Sequence, residues 1–401
     1  MRSVLMVASW DWTLDKFRLA LAESLREEGY EITFVCADGK YVDRFEDRGF
    51  RWVEWKSKRK RLNPFAELRA FLELADIYAK EQPDLIHHDT IKPNLYGPLA
   101  LKLNQLRGRM DALPPVINTF MGLGYVFSDG LLPRAIRTLI NPFLSFGVNQ
   151  ANVNLVFSNR SDQDRLRRHG ILRHERTSVL MSEFVDTEKF RPFSPVEPAP
   201  EVVDEPPQAP VVLMAVRLLW AKGVGEFVEA AQILQRRGVD VHFWLAGEPD
   251  TDSAGFVPED QLREWEEEGL IEWLGYQTDM PTLFNQADIA TLPTKYNEGM
   301  PRFLVEAAAC GLPIVTTDQE ACRIVVNDEE NGIIIPTGDS EALADALERL
   351  VTDRDYRRTL GQKARTDAVR DFDEETGTEE WHQLYDRLLT EASSVEDLEY
   401  A

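Results

Sequence analysis

Two glutamates, Glu298 and Glu306, bracket a glycine, a proline and the expected start of a helix. Residues 289–293 before them read as a strand and residues 313–317 after them as another, with Gly311-Leu312-Pro313 stopping the helix between. Pro301 is tolerated at a first helical position because its missing N–H would go unpaired there anyway. One carboxylate is therefore expected on a strand-to-helix loop and the other about two turns into the helix. The helix start directs its N–H groups and positive dipole end at that loop, which suits an anion such as a diphosphate. Two cations share this placement: Arg217 and Lys222 lie between a buried strand, 211–216, and a helix, 226–237. An arginine can grip a phosphate through two parallel N–H donors and a lysine acts as a point charge. Taken alone, each pattern also fits ordinary structure: glutamate near a helix start, or cations on a solvated loop.

The elements that must hold these groups follow from periodicity. Residues 1–9 and 31–36 read as strands around a helix over 14–29 ended by Gly29, a β-α-β unit that predicts a parallel sheet. The turn at 8–12 has no glycine and so carries no dinucleotide fingerprint, which weighs against an oxidoreductase. A helix over 64–80 precedes residues 82–97, read as a strand ending in a polar loop with His87, His88, Asp89, Lys92 and Asn94. Ligands of open parallel sheets bind beyond the carboxyl ends of the strands, so these residues are binding candidates. After a strand at 115–120, Gly122 and Gly124 allow a backbone to approach a ligand closely. Residues 131–146 are apolar with only basic charges; core packing is the default and a segment lying on a membrane is the alternative. Residues 193–210 are proline-rich, acidic and without periodicity, and are expected to link two domains, 1–192 and 211–378, with a final helical segment at 379–401.

The chain of 401 residues is 43% hydrophobic, enough for two or three sizeable cores. It has no apolar run of about 18 residues, and its start is too short and too soon interrupted by Trp10-Asp11 for a signal peptide. Three scattered cysteines, Cys36, Cys310 and Cys322, have no metal or redox spacing and fit a reducing, cytoplasmic setting. A formal net charge of -24 argues against nucleic-acid binding. The one dense basic cluster, Lys56, Lys58, Arg59, Lys60 and Arg61, reads as a solvated loop, or as a contact to anionic headgroups at the inner face of a membrane or to a phosphorylated acceptor.

Arg217 and Lys222 on one loop, Glu298 and Glu306 in an E-x7-E pattern, and the continuation Gly311-Leu312-Pro313-Ile314-Val315 resemble the retaining GT4 family of nucleotide-sugar glycosyltransferases. Lys92-Pro93-Asn94-Leu95-Tyr96-Gly97 and Gly122-Leu123-Gly124-Tyr125-Val126-Phe127 are similar to a bacterial and archaeal subgroup that builds surface polysaccharides or glycans on lipid carriers. The resemblance implies an α/β GT-B architecture: two Rossmann-like domains with parallel sheets facing a central cleft. The acceptor, a saccharide or a polyprenyl-diphosphate-linked one, would bind the first domain, with His87, His88, Lys92 and Asn94 on its side. The donor, a UDP-sugar, would bind the second. Arg217 and Lys222 would neutralise the diphosphate and Glu306 would accept hydrogen bonds from the ribose. Glu298 would lie by the transferred sugar, with Gly299 also counted on the donor side. Backbone N–H groups of Met300, Arg302 and Phe303 would finish the phosphate cradle, backbone near Trp273 and Tyr276 would read the uracil, and Gly122 and Gly124 would let the first domain close over the donor. The last helix, near 379–389, would cross back to the first domain. A hexosyltransferase of this kind is expected to need no metal or other cofactor. A nucleotide-sugar 2-epimerase of the same fold, or a non-catalytic subunit of a transferase complex, is the alternative. Many relatives have a Thr-x-His-Gly turn where this chain has Thr119-Phe120-Met121-Gly122, so a histidine contact to the sugar would have to come from His87 or His88.

A strongly acidic surface is expected to repel itself less when salt screens it. The melting temperature should therefore rise as KCl is raised to molar levels, and a melting curve that does not move with salt would rule out a high-salt adaptation.

Overall fold

The computed structural model describes residues 2–57, 63–123, 127, 131–173, 178–180, 184–193, 209–251, 253, 255–295 and 299–399, with backbone alone at 131–133, 178–180 and 393–399. Glu298, Gly124, residues 58–61 of the basic cluster and 194–208 of the expected linker lie outside them. The chain divides into two units, Met1–Ser182 with Gly377–Ala401, and Glu183–Thr376.

The first unit's strands are β1 (Ser3–Ala8), β2 (Glu31–Cys36), β3 (Arg51–Glu54), β4 (Leu85–Asp89), β5 (Val116–Phe120), β6 (Val153–Phe157) and β7 (Ser178–Leu180). The second unit's are β8 (Val211–Ala215), β9 (His242–Ala246), β10 (Glu272–Gly275), β11 (Ile289–Leu292), β12 (Ile314–Thr317) and β13 (Gly332–Ile335). The helices are α1 (Asp11–Phe17), α2 (Leu19–Glu27), α3 (Val42–Asp47), α4 (Pro64–Glu81), α5 (Ile91–Leu106), α6 (Leu131–Val148), α7 (Arg160–Arg168), α8 (Val224–Arg237), α9 (Glu259–Glu267), α10 (Met280–Gln286), α11 (Arg302–Ala309), α12 (Glu320–Val325), α13 (Ser340–Thr352), α14 (Arg354–Asp371) and α15 (Glu374–Glu399).

Both sheets are parallel, ordered β3-β2-β1-β4-β5-β6-β7 and β10-β9-β8-β11-β12-β13. Each order runs one way from its first strand and then reverses, the doubly wound pattern whose ligands bind at the reversal. In the first unit that point lies between β1 and β4, and in the second between β8 and β11.

Parallel strands buried on both faces need apolar side chains on alternate sides. Leu5, Val7, Ile86, Val116 and Leu155 pack with α4, α5 and α6; Val4, Met6, Ile32, Phe34 and Leu85 pack with α2, α3 and α15. The expected helix over 14–29 is two helices, broken at Arg18, whose φ of -128° leaves the helical range. Its guanidinium reaches fully buried Asp89 at 2.7 Å and lies 4.7 Å from the Trp381 ring on α15. A tertiary ion pair overrides local helical preference there. Residues 184–192, expected with the first domain, belong to the second unit. Arg365 donates to the carbonyls of Thr187 and Phe190, and Val185 bridges Asp373. From α15, Trp381, Leu384, Tyr385, Leu388 and Leu389 close the core of the first unit.

Trp381→Ala should cost about 3–5 kcal/mol of first-unit stability, as for a large core aromatic; a denaturant titration that shows less than about 1 kcal/mol would contradict the docking of α15.

Candidate functional site

At the reversal of the second sheet two loops meet, one after β8 and one after β11. The first carries Arg217 and ends in a short 3-10 turn, Trp220–Lys222, then Gly223 and α8. Gly223 has a φ of +88°, and a Cβ there would sit 2.1 Å from the Pro293 carbonyl oxygen on the second loop. Only glycine admits both that conformation and that approach. The contact is tightened by the Lys295 N–H, which donates to the Ala221 carbonyl at 2.9 Å.

Cations gather here with carboxylate partners. Arg217, half exposed, pairs with Asp250 at 3.2 Å. Lys295 pairs with Glu226 at 2.7 Å, and Arg302 with Glu306 at 2.8 Å. Lys222 is nearly buried, at 9% exposure. Lys295 and its partner Glu226 were not expected; only the strand order brings Lys295 beside the β8 loop.

Two helices begin at this point, α8 after Gly223 and α11 after Pro301, and neither has a side-chain cap. By contrast α10, α13 and α14 are each capped by an aspartate. Helices α9 and α12 also lack a side-chain cap, so charge distinguishes α11: its first turn holds an arginine and no acid, against the helix dipole. The Arg302–Glu306 order, cation first, is also the weaker orientation for an i,i+4 pair. Helix stability therefore does not account for this local charge pattern. Pro301 is the N-cap rather than the first helical residue, and Glu306 is the fifth residue of α11, little more than one turn in rather than two. Gly299 is partly exposed, while Met300 and Phe303 are buried and pack in the core. Trp273 donates from its ring to the Gly247 carbonyl at 2.9 Å, and Tyr276 is exposed.

The first-unit candidates stand differently. The expected polar loop is strand β4 followed by α5, so His87, His88 and Asp89 alternate across the sheet. His87, His88 and Asn94 are wholly buried. His87 is held between Thr119, at 2.7 Å, and Tyr385, at 2.6 Å. His88 Nδ1 donates to Asn118 Oδ1 at 2.7 Å, since the Asn118 amide is committed to the Asn94 carbonyl, and Nε2 accepts from the Tyr78 hydroxyl at 2.6 Å. Gly97 leaves the room for that ring: a Cβ there would lie 2.0 Å from it. Asn94 donates to the Thr119 carbonyl, and Lys92 pairs with Glu67 at 2.8 Å. These groups tie the sheet to its helices and do not line an open loop. What does sit at the β1–β4 reversal is Ser9, 3.1 Å from Thr90, whose φ of +74° is rare for a β-branched residue. Trp10 and Trp12 stack beside it with ring centroids 4.9 Å apart. The sequence showed these residues but not that β1 and β4 are neighbours. Gly122 takes a φ of +95° just beyond β5.

Among the described residues no helix is long and apolar enough to cross a membrane, and no cluster of three His, Cys, Asp or Glu is placed to hold a metal.

Residues 3–159 match the family model for glycosyl transferase 4-like proteins and residues 196–367 that for glycosyl transferases group 1. The chain belongs to the glycosyltransferases. The glycosyltransferase is 28% identical over 380 residues, 93% of its length and 95% of the relative's, to the N,N'-diacetylbacillosaminyl-diphospho-undecaprenol alpha-1,3-N-acetylgalactosaminyltransferase of Campylobacter jejuni. It is 21% identical to the UDP-Gal:alpha-D-GlcNAc-diphosphoundecaprenol alpha-1,3-galactosyltransferase of Escherichia coli, covering 83% of each chain. Among solved structures it resembles sucrose-phosphate synthase from Thermosynechococcus elongatus, with a TM-score of 0.79, 19% identity and coverage of 97% of this chain and 100% of that one. It also resembles Anabaena HepE in complex with UDP and glucose, with a TM-score of 0.75, 17% identity and coverage of 96% and 100%. The fold is that of the GT-B glycosyltransferases, as the sequence resemblance implied.

Burial lowers the His88 pKa to about 4 and holds His87 well below the usual histidine value. An unfolded histidine titrates near 6.5, so between pH 6.5 and about 4 the unfolded chain binds the extra proton and stability falls with acid. Urea titrations should show the stability gap between wild type and His88→Gln narrowing as pH drops through this window, by up to about 1.4 kcal/mol per pH unit. A gap that is constant with pH would mean that His88 is not buried and neutral.

Proposed function

We propose that the chain transfers a hexose from a UDP-sugar to a polyprenyl-diphosphate-linked saccharide, with retention of anomeric configuration and without a metal. The observation that carries the donor half is the meeting, at the β8–β11 reversal, of Arg217, Lys222 and the uncapped starts of α8 and α11. A diphosphate seated there would accept from Arg217, from Lys222 and from backbone N–H groups of Met300, Arg302 and Phe303. It would compete with Asp250 for Arg217 and with Glu306 for Arg302, releasing Glu306 to accept from the ribose. Glu298 is assigned beside the transferred sugar. The acceptor half is supported by the names of the Campylobacter and Escherichia coli relatives, both of which use diphospho-undecaprenol-linked sugars, and the uridine by the name of the second. The basic residues from Lys56 to Arg61 are proposed to meet anionic headgroups near that acceptor.

In the reaction the bond from the sugar C1 to the diphosphate oxygen breaks and its electron pair stays on UDP. The acceptor hydroxyl oxygen forms the new bond to C1 from the same face, and its proton passes to the departing diphosphate oxygen. Charge builds on the diphosphate as the bond breaks, so pre-placed cations and N–H groups stabilise the transition state more than the ground state.

Lys222→Ala should lower kcat/KM at least ~10-fold, as losing a charge-assisted contact of ~1.5–3 kcal/mol does. Wild-type turnover in that variant would remove Lys222 from the diphosphate site. Free UDP should appear only when a polyprenyl-diphosphate saccharide is added, and EDTA should not slow its release. Sugar conversion without acceptor would instead indicate an epimerase.

A further inference from the structure

Of the nine tryptophans, Trp52, Trp55, Trp244, Trp265, Trp273 and Trp381 pack in or against a hydrophobic core. Trp10 and Trp12, just beyond the carboxyl end of β1, do not. Their rings stack with centroids 4.9 Å apart and planes inclined by 23°, and the Phe17 ring meets Trp12 edge-on at 5.5 Å. All three are partly exposed, and none of them joins a core among the described residues. Large aromatic side chains ordinarily supply core burial, so a stacked pair left at the end of a strand where ligands bind is a surface with a use.

The pair is mounted firmly. Between the two tryptophans in sequence, Asp11 is buried, and its carboxylate accepts from the Tyr41 N–H at 2.7 Å. Gly39 makes room for it, since a Cβ there would run into the Asp11 carboxylate. At the other end of α1, Arg18 is paired with Asp89, the residue before Thr90. One ion pair therefore ties the aromatic helix to the start of α5. Thr90 holds a φ of +74° and makes no side-chain cap for α5; its hydroxyl meets Ser9 instead. Helix stability does not explain a strained residue that gives up its cap, and such strain collects at ligand sites.

Flat indole faces beside a pair of hydroxyls match one class of ligand. A pyranose ring has a face of C–H groups, partly positive, that suits the negative face of an aromatic ring. Its rim of hydroxyls both donates and accepts, as the hydroxyls of Ser9 and Thr90 do. A phosphate has no C–H face, and an isoprenoid chain has no use for a hydroxyl pair. We propose that Trp10 and Trp12 form the platform on which the sugar ring of the acceptor stacks, with Ser9 and Thr90 bonding its hydroxyls. The proposal rests on the reading that the acceptor is a lipid-linked saccharide, and it assigns the residues that hold the sugar rather than the diphosphate or the lipid.

The test is calorimetric binding of the full chain to two soluble probes, farnesyl diphosphate and farnesyl diphosphate carrying N-acetylglucosamine. Wild type should bind the sugar-bearing probe at least ~10-fold more tightly. Trp12→Leu keeps apolar bulk without a ring face and, with an unchanged melting temperature, should lose that preference. Trp12→Phe keeps a ring face and should retain the preference to within about threefold. Equal binding of the two probes by wild type, a Trp12→Leu chain that keeps the preference, or Leu and Phe variants that behave alike would each overturn the platform. Variants that weaken both probes equally would place the lipid chain on the aromatic pair and overturn it too. A preference that stands while no UDP is released from a UDP-sugar would strike the proposed function instead, since binding is read without turnover.

Discussion

The second unit depends on one close approach: the Pro293 carbonyl occupies the space where residue 223 would otherwise carry a side chain. Because Gly223 yields that space, the loop after β8 lies against the loop after β11, and two strands distant in sequence put their carboxyl ends side by side. Everything chemical in the unit follows from this juxtaposition. The starts of α8 and α11 open at one place, and Arg217, Lys222, Lys295 and Arg302 are gathered around it. A larger residue at 223 would not remove any cation, yet it would separate the loops that carry them.

The charge pattern at that point is costly as protein structure. An arginine in the first turn of α11 opposes the helix dipole, and its partner Glu306 is on the less favourable side of it. Such local conflicts are where a fold gives up stability for chemistry. Elsewhere in the unit the same sequence resolves them: Asp339 and Asp353 cap α13 and α14, and Arg237 is surrounded by Glu341, Asp345 and Glu348.

Periodicity and turn residues were enough to read the β-α-β rhythm, the strand-to-helix position of Arg217 and Lys222, and the helix that follows Pro301. They were not enough for anything that depends on strand order. Lys295 carries no signal in the sequence, and it reaches the β8 loop only because β11 lies beside β8. Thr90 and Ser9 lie 81 residues apart and meet only because β4 neighbours β1. His87, His88 and Asp89 misled for the opposite reason: polar residues in a row look like a loop, but on a buried strand they point alternately into two layers, each finding its own partner in Tyr385, Tyr78 and Arg18. Arg18 likewise sits in a clean helical pattern and breaks it, because a buried carboxylate 71 residues away claims its side chain.

The contact between His87 and Tyr385 spans 298 residues. On a translating ribosome that interval lasts roughly 15–60 s at ordinary elongation rates. Throughout it the second unit, an uninterrupted stretch of chain, can emerge and fold, while the first holds Arg18, His87 and Asp89 without the helix that covers them. Order of synthesis therefore runs against order of completion: the unit begun first is finished last, and the nascent chain must keep an open polar seam from finding other partners until Trp381 and Tyr385 arrive.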